Sequence, residues 1–158
     1  MLRWLLIAAV VVIFDQASKY AAVAMLADKP PLEVTPFFNL LLVYNRGAAF
    51  SFLAGAAGWQ RELFTGIAIV ASVWIVFLLR RYPRQSLFCL ALSLVLGGAI
   101  GNVIDRLSIG AVVDFLDFHA FGWHWPAFNI ADSAITCGAA LLIWDGLRAA
   151  PRAEKTYK

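Results

Sequence analysis

Residues 86–104 read SLFCLALSLVLGGAIGNVI, with no charged side chain from one end to the other. A helix needs about 20 apolar residues to cross a hydrocarbon core, and this stretch has that length. Working outward, residues 63–79 (LFTGIAIVASVWIVFLL) are a second uncharged block. Residues 4–26 form a third, interrupted by Asp15 and Lys19, and residues 128–144 a fourth, interrupted by Asp132. The whole chain of 158 residues is 62% hydrophobic and 15% charged, with a mean hydropathy of +0.77. A soluble domain carries about 45–50% apolar and about 25% charged residues. The excess lies in blocks, so the expected fold class is an all-α membrane protein with four transmembrane helices. One membrane domain over 1–158 is expected, since no linker, low-complexity stretch or repeat divides the chain.

The first block also resembles a cleavable leader: Arg3, an apolar run, then Ala22-Val23-Ala24. Asp15 and Lys19 between the run and the small residues argue for a retained helix. Arg3, Arg80, Arg81, Arg84, Arg148, Arg152, Lys155 and Lys158 flank one side of the four spans; Lys29, Arg46, Arg61 and Arg106 flank the other. The cation-rich side is expected to be cytoplasmic. Both termini then face inward, and two segments, about 27–62 and 105–127, face outward. The net charge of +3 sits at block ends rather than on one face, which is no nucleic-acid signature.

In the first outer segment, Leu32–Val34 and Phe37–Tyr44 are rich in β-branched and aromatic residues, bounded by Pro30-Pro31, Pro36 and Asn45. They predict a small outer sheet between helices 1 and 2. The second outer segment, with Phe118, Phe121, Trp123 and Trp125, has the aromatic content of a stretch at headgroup level. Cys89 and Cys137 lie at depths about 10 Å apart along their helices, too far for a disulfide, and are expected to pack.

An ionisable group inside a span costs about 2.5–3.5 kcal/mol on insertion scales, so each needs a reason. Asp15 and Lys19, four apart, share a helix face. An internal ion pair with Lys19 reaching outward is one reading, and a part in chemistry is the other. Asn129-Ile-Ala-Asp132 has the spacing of a capping box, so Asp132 could simply cap the fourth helix. Asp114, in the mostly apolar stretch Gly110–Phe118, supplies a second carboxylate on the same side of the membrane. Two carboxylates close together in apolar surroundings share a proton, as a pair that activates water against an amide would. The other hydrolytic chemistries lack their parts. The glutamates are Glu33, Glu62 and Glu154, and no His-Glu-x-x-His occurs. His119 and His124 have no third ligand at usual spacing and are expected to stack or lie at the interface. No Gly-x-Ser-x-Gly elbow exists.

Five motifs now stand in order: Asp15-Gln16-x-x-Lys19, Tyr44-Asn45-Arg46-Gly47-Ala48-Ala49-Phe50-Ser51, Gly101-Asn102-x-x-Asp105-Arg106, Val112-Val113-Asp114-Phe115, and Phe128-Asn129-Ile130-Ala131-Asp132-Ser133. Together they resemble the lipoprotein signal peptidase (signal peptidase II) family along nearly the whole chain. The resemblance implies an inner-membrane aspartic endopeptidase that cleaves bacterial prolipoproteins before a diacylglyceryl-modified cysteine. It implies Asp114 and Asp132 as the catalytic pair and Asn45, Gly47, Asn102, Arg106 and Asn129 as substrate-binding or supporting residues. Asp15 and Lys19 match a pair placed in the first helix. No cofactor or metal is implied; the expected partners are lipidated prolipoproteins and membrane lipid, and a monomer is expected.

Plainer readings stand beside these. Arg106 could form a local ion pair with Asp105. Gly97, Gly98 and Gly101 could serve close helix packing or line a lipid groove. Asp117, near the surface, and Asp145, at the far end of helix four, read as bystanders. The rival from another class is a small four-helix proton-coupled transporter, and a non-catalytic adaptor is third. A transporter would be expected to show repeats and interrupted helices.

Overall fold

The computed structural model describes residues 1–46 and 59–153, the last five of these by backbone alone. The expected site residue Gly47 lies outside the described residues. Four helices are long and apolar enough to cross a membrane: α1 (Leu2–Leu26), α2 (Trp59–Arg81), α3 (Ser86–Ser108) and α4 (Ile130–Ala153). Each runs past its apolar block at one end or both. α2 starts at Trp59 rather than at residue 63, and α3 continues through Asp105 and Arg106 to Ser108. Backbone hydrogen bonding does not stop where the hydrocarbon does, so polar turns extend both helices.

α3 is the helix on which the others rest: α1, α2 and α4 all pack against it. Its glycines make this possible. A Cβ on Gly97 would lie 2.6 Å from Val11 Cβ, one on Gly98 would strike the Ala131 carbonyl, and one on Gly101 would sit 2.5 Å from Asp15 Oδ2. Close packing is therefore what these glycines do, as small residues at membrane helix interfaces generally do. On α1, the buried residues Trp4, Ala8, Asp15, Lys19, Ala22 and Leu26 form one stripe, while Leu6, Val10, Ile13, Phe14 and Tyr20 are exposed.

The sheet draws on both segments expected to face outward. Strands β1 (Leu32–Thr35) and β2 (Phe38–Asn45) pair antiparallel as a hairpin, part of the small sheet expected between α1 and α2. β2 then pairs antiparallel with β3 (Val112–Ala120), which pairs with the short β4 (Trp123–His124), giving the order β1-β2-β3-β4. β3 was not expected as a strand, because Asp114 and Asp117 interrupt its apolar pattern. Both carboxylates are buried, at 2% exposure each, so the strand is covered on both faces near its start. That corrects the reading of Asp117 as a surface residue. Gly110 and Gly122, both at positive φ, begin and turn this segment.

Two apolar clusters hold the chain together. One gathers Trp4, Ala8, Ile75, Leu79, Cys89, Leu92 and Leu96 at the end of the bundle carrying the α2–α3 turn. The other, Ala22, Leu26 and Phe115 with Leu40, Leu42, Leu116 and Ile130, joins the helices to the sheet. Between them lies a layer of buried polar side chains. Cys89 packs as expected; Cys137 does not, being exposed on α4 beside a cleft.

Candidate active site

α4 starts abruptly, and its first N–H groups need acceptors. Asn129 caps it: the Asp132 N–H donates to Asn129 Oδ1 at 2.9 Å, and the Asn129 N–H donates back to Asp132 Oδ2 at 3.3 Å. The capping box read from the sequence is real. A third N–H, that of Ala131, donates to Asp15 Oδ1 of α1 at 2.9 Å. Asp132 is thus fixed at a helix N-terminus, and its other oxygen, Oδ1, accepts from Asn102 Nδ2 at 2.8 Å.

Asp114 arrives from the opposite side, on β3. Its Oδ2 accepts from Asn45 Nδ2 at 3.0 Å, at the end of β2, and its Oδ1 accepts from Asn129 Nδ2 at 2.7 Å. Asn129 therefore touches both aspartates, capping one and donating to the other. Burial pushes the Asp114 carboxyl up to about 6 from its ordinary 3.8. The Asn45 and Asn129 amides oppose that rise, and the negative charge of Asp132 adds to it.

Both aspartates line a cleft of about 710 Å³, together with Asn45, Asn102 and Arg106. Its remaining wall is largely apolar: Phe64 from α2, Val112, Trp125–Phe128, and Ser133, Thr136 and Cys137 along one face of α4. The structure thus gathers Asp114, Asp132, Asn45, Asn102, Arg106 and Asn129, expected from widely separated motifs, at one place. Phe128 is held there by backbone bonds: its carbonyl accepts from Phe115 and Leu116 N–H, and its own N–H donates to the Leu116 carbonyl.

Beneath the cleft the expected Asp15–Lys19 ion pair is present at 2.8 Å, but Lys19 does not reach outward. It is 3% exposed and also pairs with Asp105 at 2.8 Å, while donating to Asn102 Oδ1 at 3.0 Å. A local Asp105–Arg106 pair does not form, because Asp105 turns toward Lys19 and the Arg106 Nη1 donates to the Asn102 carbonyl at 3.4 Å. Gln16 completes the layer, its Nε2 donating to Asp105 Oδ1 (2.9 Å), Asp15 Oδ2 and the Gly101 carbonyl. The sequence reading gives Gln16 no role and Asp105 only the pairing with Arg106 that does not form. The available signal was their place inside two of the motifs, each a turn or less from an assigned polar residue.

A second polar group sits on the sheet. Asp117 accepts from Asn39 Nδ2 at 3.0 Å and meets His124 Nδ1 at 2.9 Å, and the His119 and His124 rings stack at 4.9 Å. The histidines stack as expected, and Asp117 is a fastening of the β3–β4 hairpin rather than an idle surface charge. No group of three potential metal ligands occurs among the described residues.

The comparisons with known proteins show the family. A model of the family described as signal peptidase (SPase) II matches residues 7–148. The lipoprotein signal peptidase of Paraburkholderia phymatum is 60% identical over 145 residues, covering 92% of this chain and 87% of that one. That of Paraburkholderia phytofirmans is 61% identical, covering 92% and 84%. A bacterial membrane enzyme solved by the in meso method at 2.3 Å superposes with a TM-score of 0.80 at 36% identity, covering 95% of this chain and 90% of the other. A second, solved at 1.9 Å, gives 0.78 at 37% identity, covering 93% and 94%. Four helices are long and apolar enough to cross a membrane, the match runs almost end to end, and the chain belongs to the signal peptidase II family of multi-pass membrane peptidases.

Proposed function

We propose that the chain is an aspartic endopeptidase that removes the signal peptide from diacylglyceryl-modified prolipoproteins, cutting just before the lipidated cysteine. Asp114 and Asp132 are its reacting pair. The observation that carries this reading is that two carboxylates from different elements, β3 and α4, converge on one cleft through a shared asparagine. With one proton between them, the ionised carboxylate takes a proton from water while the protonated one donates to the scissile carbonyl oxygen. The water oxygen bonds to the carbonyl carbon, and collapse of that adduct passes a proton to the departing nitrogen. Asn45, Asn102 and Arg106 border the same space and hold substrate carbonyls without adding negative charge. The apolar wall suits a substrate bearing acyl chains.

The charge asymmetry supports a topology with both termini in the cytoplasm of a bacterial inner membrane and the sheet and the cleft toward the outer face. Each chain acts as a single membrane domain and as a monomer. Reporter fusions after Arg84 and after Lys158 then read cytoplasm, and fusions near Gly122 read the outside; an external C-terminus reverses the topology.

The decisive experiment incubates purified protein with a lipidated precursor peptide and with its unlipidated twin. Two fragments from the lipidated peptide, and far slower cleavage of the twin, are expected. No fragments from either defeats the peptidase reading, and equal rates defeat the lipid requirement. Activity is expected to survive strong chelators; loss on chelation with recovery on zinc moves the chemistry to His119 and His124.

A further inference from the structure

The buried ions beneath the cleft make a pattern that the proposed chemistry does not use directly. Lys19 has three ammonium protons and three partners: Asp15 Oδ2, Asp105 Oδ2 and Asn102 Oδ1. Each partner leads to the reacting pair. Asp15 Oδ1 accepts the N–H of Ala131, the residue immediately before Asp132. Asp105 Oδ2 accepts the N–H of Val113, at 3.0 Å, the residue immediately before Asp114. Asn102, its oxygen turned to Lys19, has only its N–H edge left for Asp132 Oδ1.

The amide orientations follow from groups whose character is not in question. An ammonium only donates, so the atom of Asn102 facing Lys19 is oxygen. A backbone N–H only donates, so the atom of Asn129 facing the Asp132 N–H is also oxygen, and its Nδ2 faces Asp114. Lys19 thereby grips the backbone behind both aspartates and dictates which edge of Asn102 meets one of them. Charged groups packed around the pair and the residues before it include Asp15 and Lys19 from α1 and Asp105 and Arg106 from α3. Of these, Lys19 and Arg106 are the cations, and Arg106 borders the open cleft while Lys19 is sealed below it.

We propose that Lys19 is a positioning residue of the reacting pair: through Asp15, Asp105 and Asn102 it fixes the separation of Asp114 and Asp132 and the donor that Asp132 faces. This rests on the pair assigned above. Lys19 lines no part of the cleft, so its effect falls on turnover and not on substrate binding.

Removing Lys19 alone strands two buried carboxylates, so the test uses compensated variants of the full chain in detergent. Lys19→Met/Asp105→Asn removes one charge of each sign, and the Asn at 105 keeps an acceptor for Val113. Lys19→Gln/Asp105→Asn restores a neutral donor toward Asn102. For the Met variant, kcat per folded molecule is expected to fall on the order of 10²-fold, as for a misplacement of about 1 Å, with KM within about threefold. The Gln variant is expected to recover part of that loss. In an Asn102→Ala background the Met change should cost much less than it does alone, because residues acting as a unit are non-additive. A folded Met variant with unchanged kcat, equal kcat for Met and Gln, or failure of both to accumulate overturns the proposal. Asp114→Asn and Asp132→Asn run beside them. If either of those still cleaves, the assigned pair is wrong; if both are dead while the Lys19 variants turn over normally, only the positioning role is.

Discussion

At the end of the bundle carrying the α2–α3 turn, Leu79, Cys89, Leu92 and Leu96 close around Trp4 and Ala8. Two to three turns along the same helices, α1 and α3 instead present Asp15, Gln16, Lys19, Asn102 and Asp105 to one another. The apolar end is satisfied by any side chains of suitable volume. At the polar end each donor has a particular acceptor, and a group left without one in a dry interior costs about 1–3 kcal/mol or more. The apolar end can supply stability without specifying geometry. The polar end specifies geometry, and it is the end that carries the cleft.

The sharpest way to break this contrast is at the pair. Asp114→Asn and Asp132→Asn should each lower turnover by at least about 10³-fold, with the double variant no worse, since groups acting as a unit are not additive. Asp117→Asn, equally buried but on the hairpin fastening, should lower stability and leave cleavage mostly intact. Cleavage assays at matched membrane levels decide it, and a dead Asp117→Asn with a live Asp114→Asn reverses the assignment.

Stability comes next. Lys19→Met should cost about 3–5 kcal/mol, because it leaves buried carboxylates without their cation. Leu96→Ala, at the apolar end, should cost about 2–5 kcal/mol by cavity formation. The difference lies in what survives: folded Leu96→Ala should turn over normally. Denaturation curves with activity normalised to folded protein test this, and equal specific activities for the two variants erase the contrast.

Glycine substitutions sharpen the comparison at smaller scale. Gly101→Ala drives a methyl against Asp15 and should cost about 1–3 kcal/mol, together with activity. Gly66→Ala, with nothing within 4 Å, should change stability by less than about 1 kcal/mol. Thermal midpoints of the two variants would contradict the packing if they moved alike.

The smallest effect is a pH slope. The folded carboxyl of Asp114 titrates near 6 against an ordinary 3.8, so the native state holds that proton more tightly. Its stabilisation is complete below about 3.8 and is lost as pH rises through about 6. The wild-type thermal midpoint should therefore gain relative to that of Asp114→Asn as pH falls from 7.5 to 5. Parallel curves across that window would remove the burial effect.

Much of this was legible in the sequence because the membrane imposes length and apolarity on each span, and because capping has a fixed spacing. The four helices, the β1–β2 hairpin, the Asp15–Lys19 pair and the Asn129–Asp132 box were all readable for those reasons. β3 was not, since two carboxylates in a strand look solvent-facing until partners such as Asn39 and Asn129 are found in space. Asp105 was misread for the same reason: adjacency to Arg106 is visible in a sequence, whereas a lysine 86 positions earlier is not. Arg106 was given the wrong neighbour: its Nη1 donates to the Asn102 carbonyl.

The Asp15–Lys19–Asp105 arrangement also bears on how the helices find their register during insertion. Asp15 and Lys19 lie four apart on α1, so that helix carries both signs of charge on one face from the outset. Asp105 has its cation on another helix and is left dry and uncompensated until α3 meets α1 in one alignment. A slip of one turn, about 5.4 Å, would keep most apolar contacts but part Asp105 from Lys19 and carry Gly101 away from Asp15. The buried charges therefore act as a proofreading mark, making a misaligned bundle unstable before any substrate arrives.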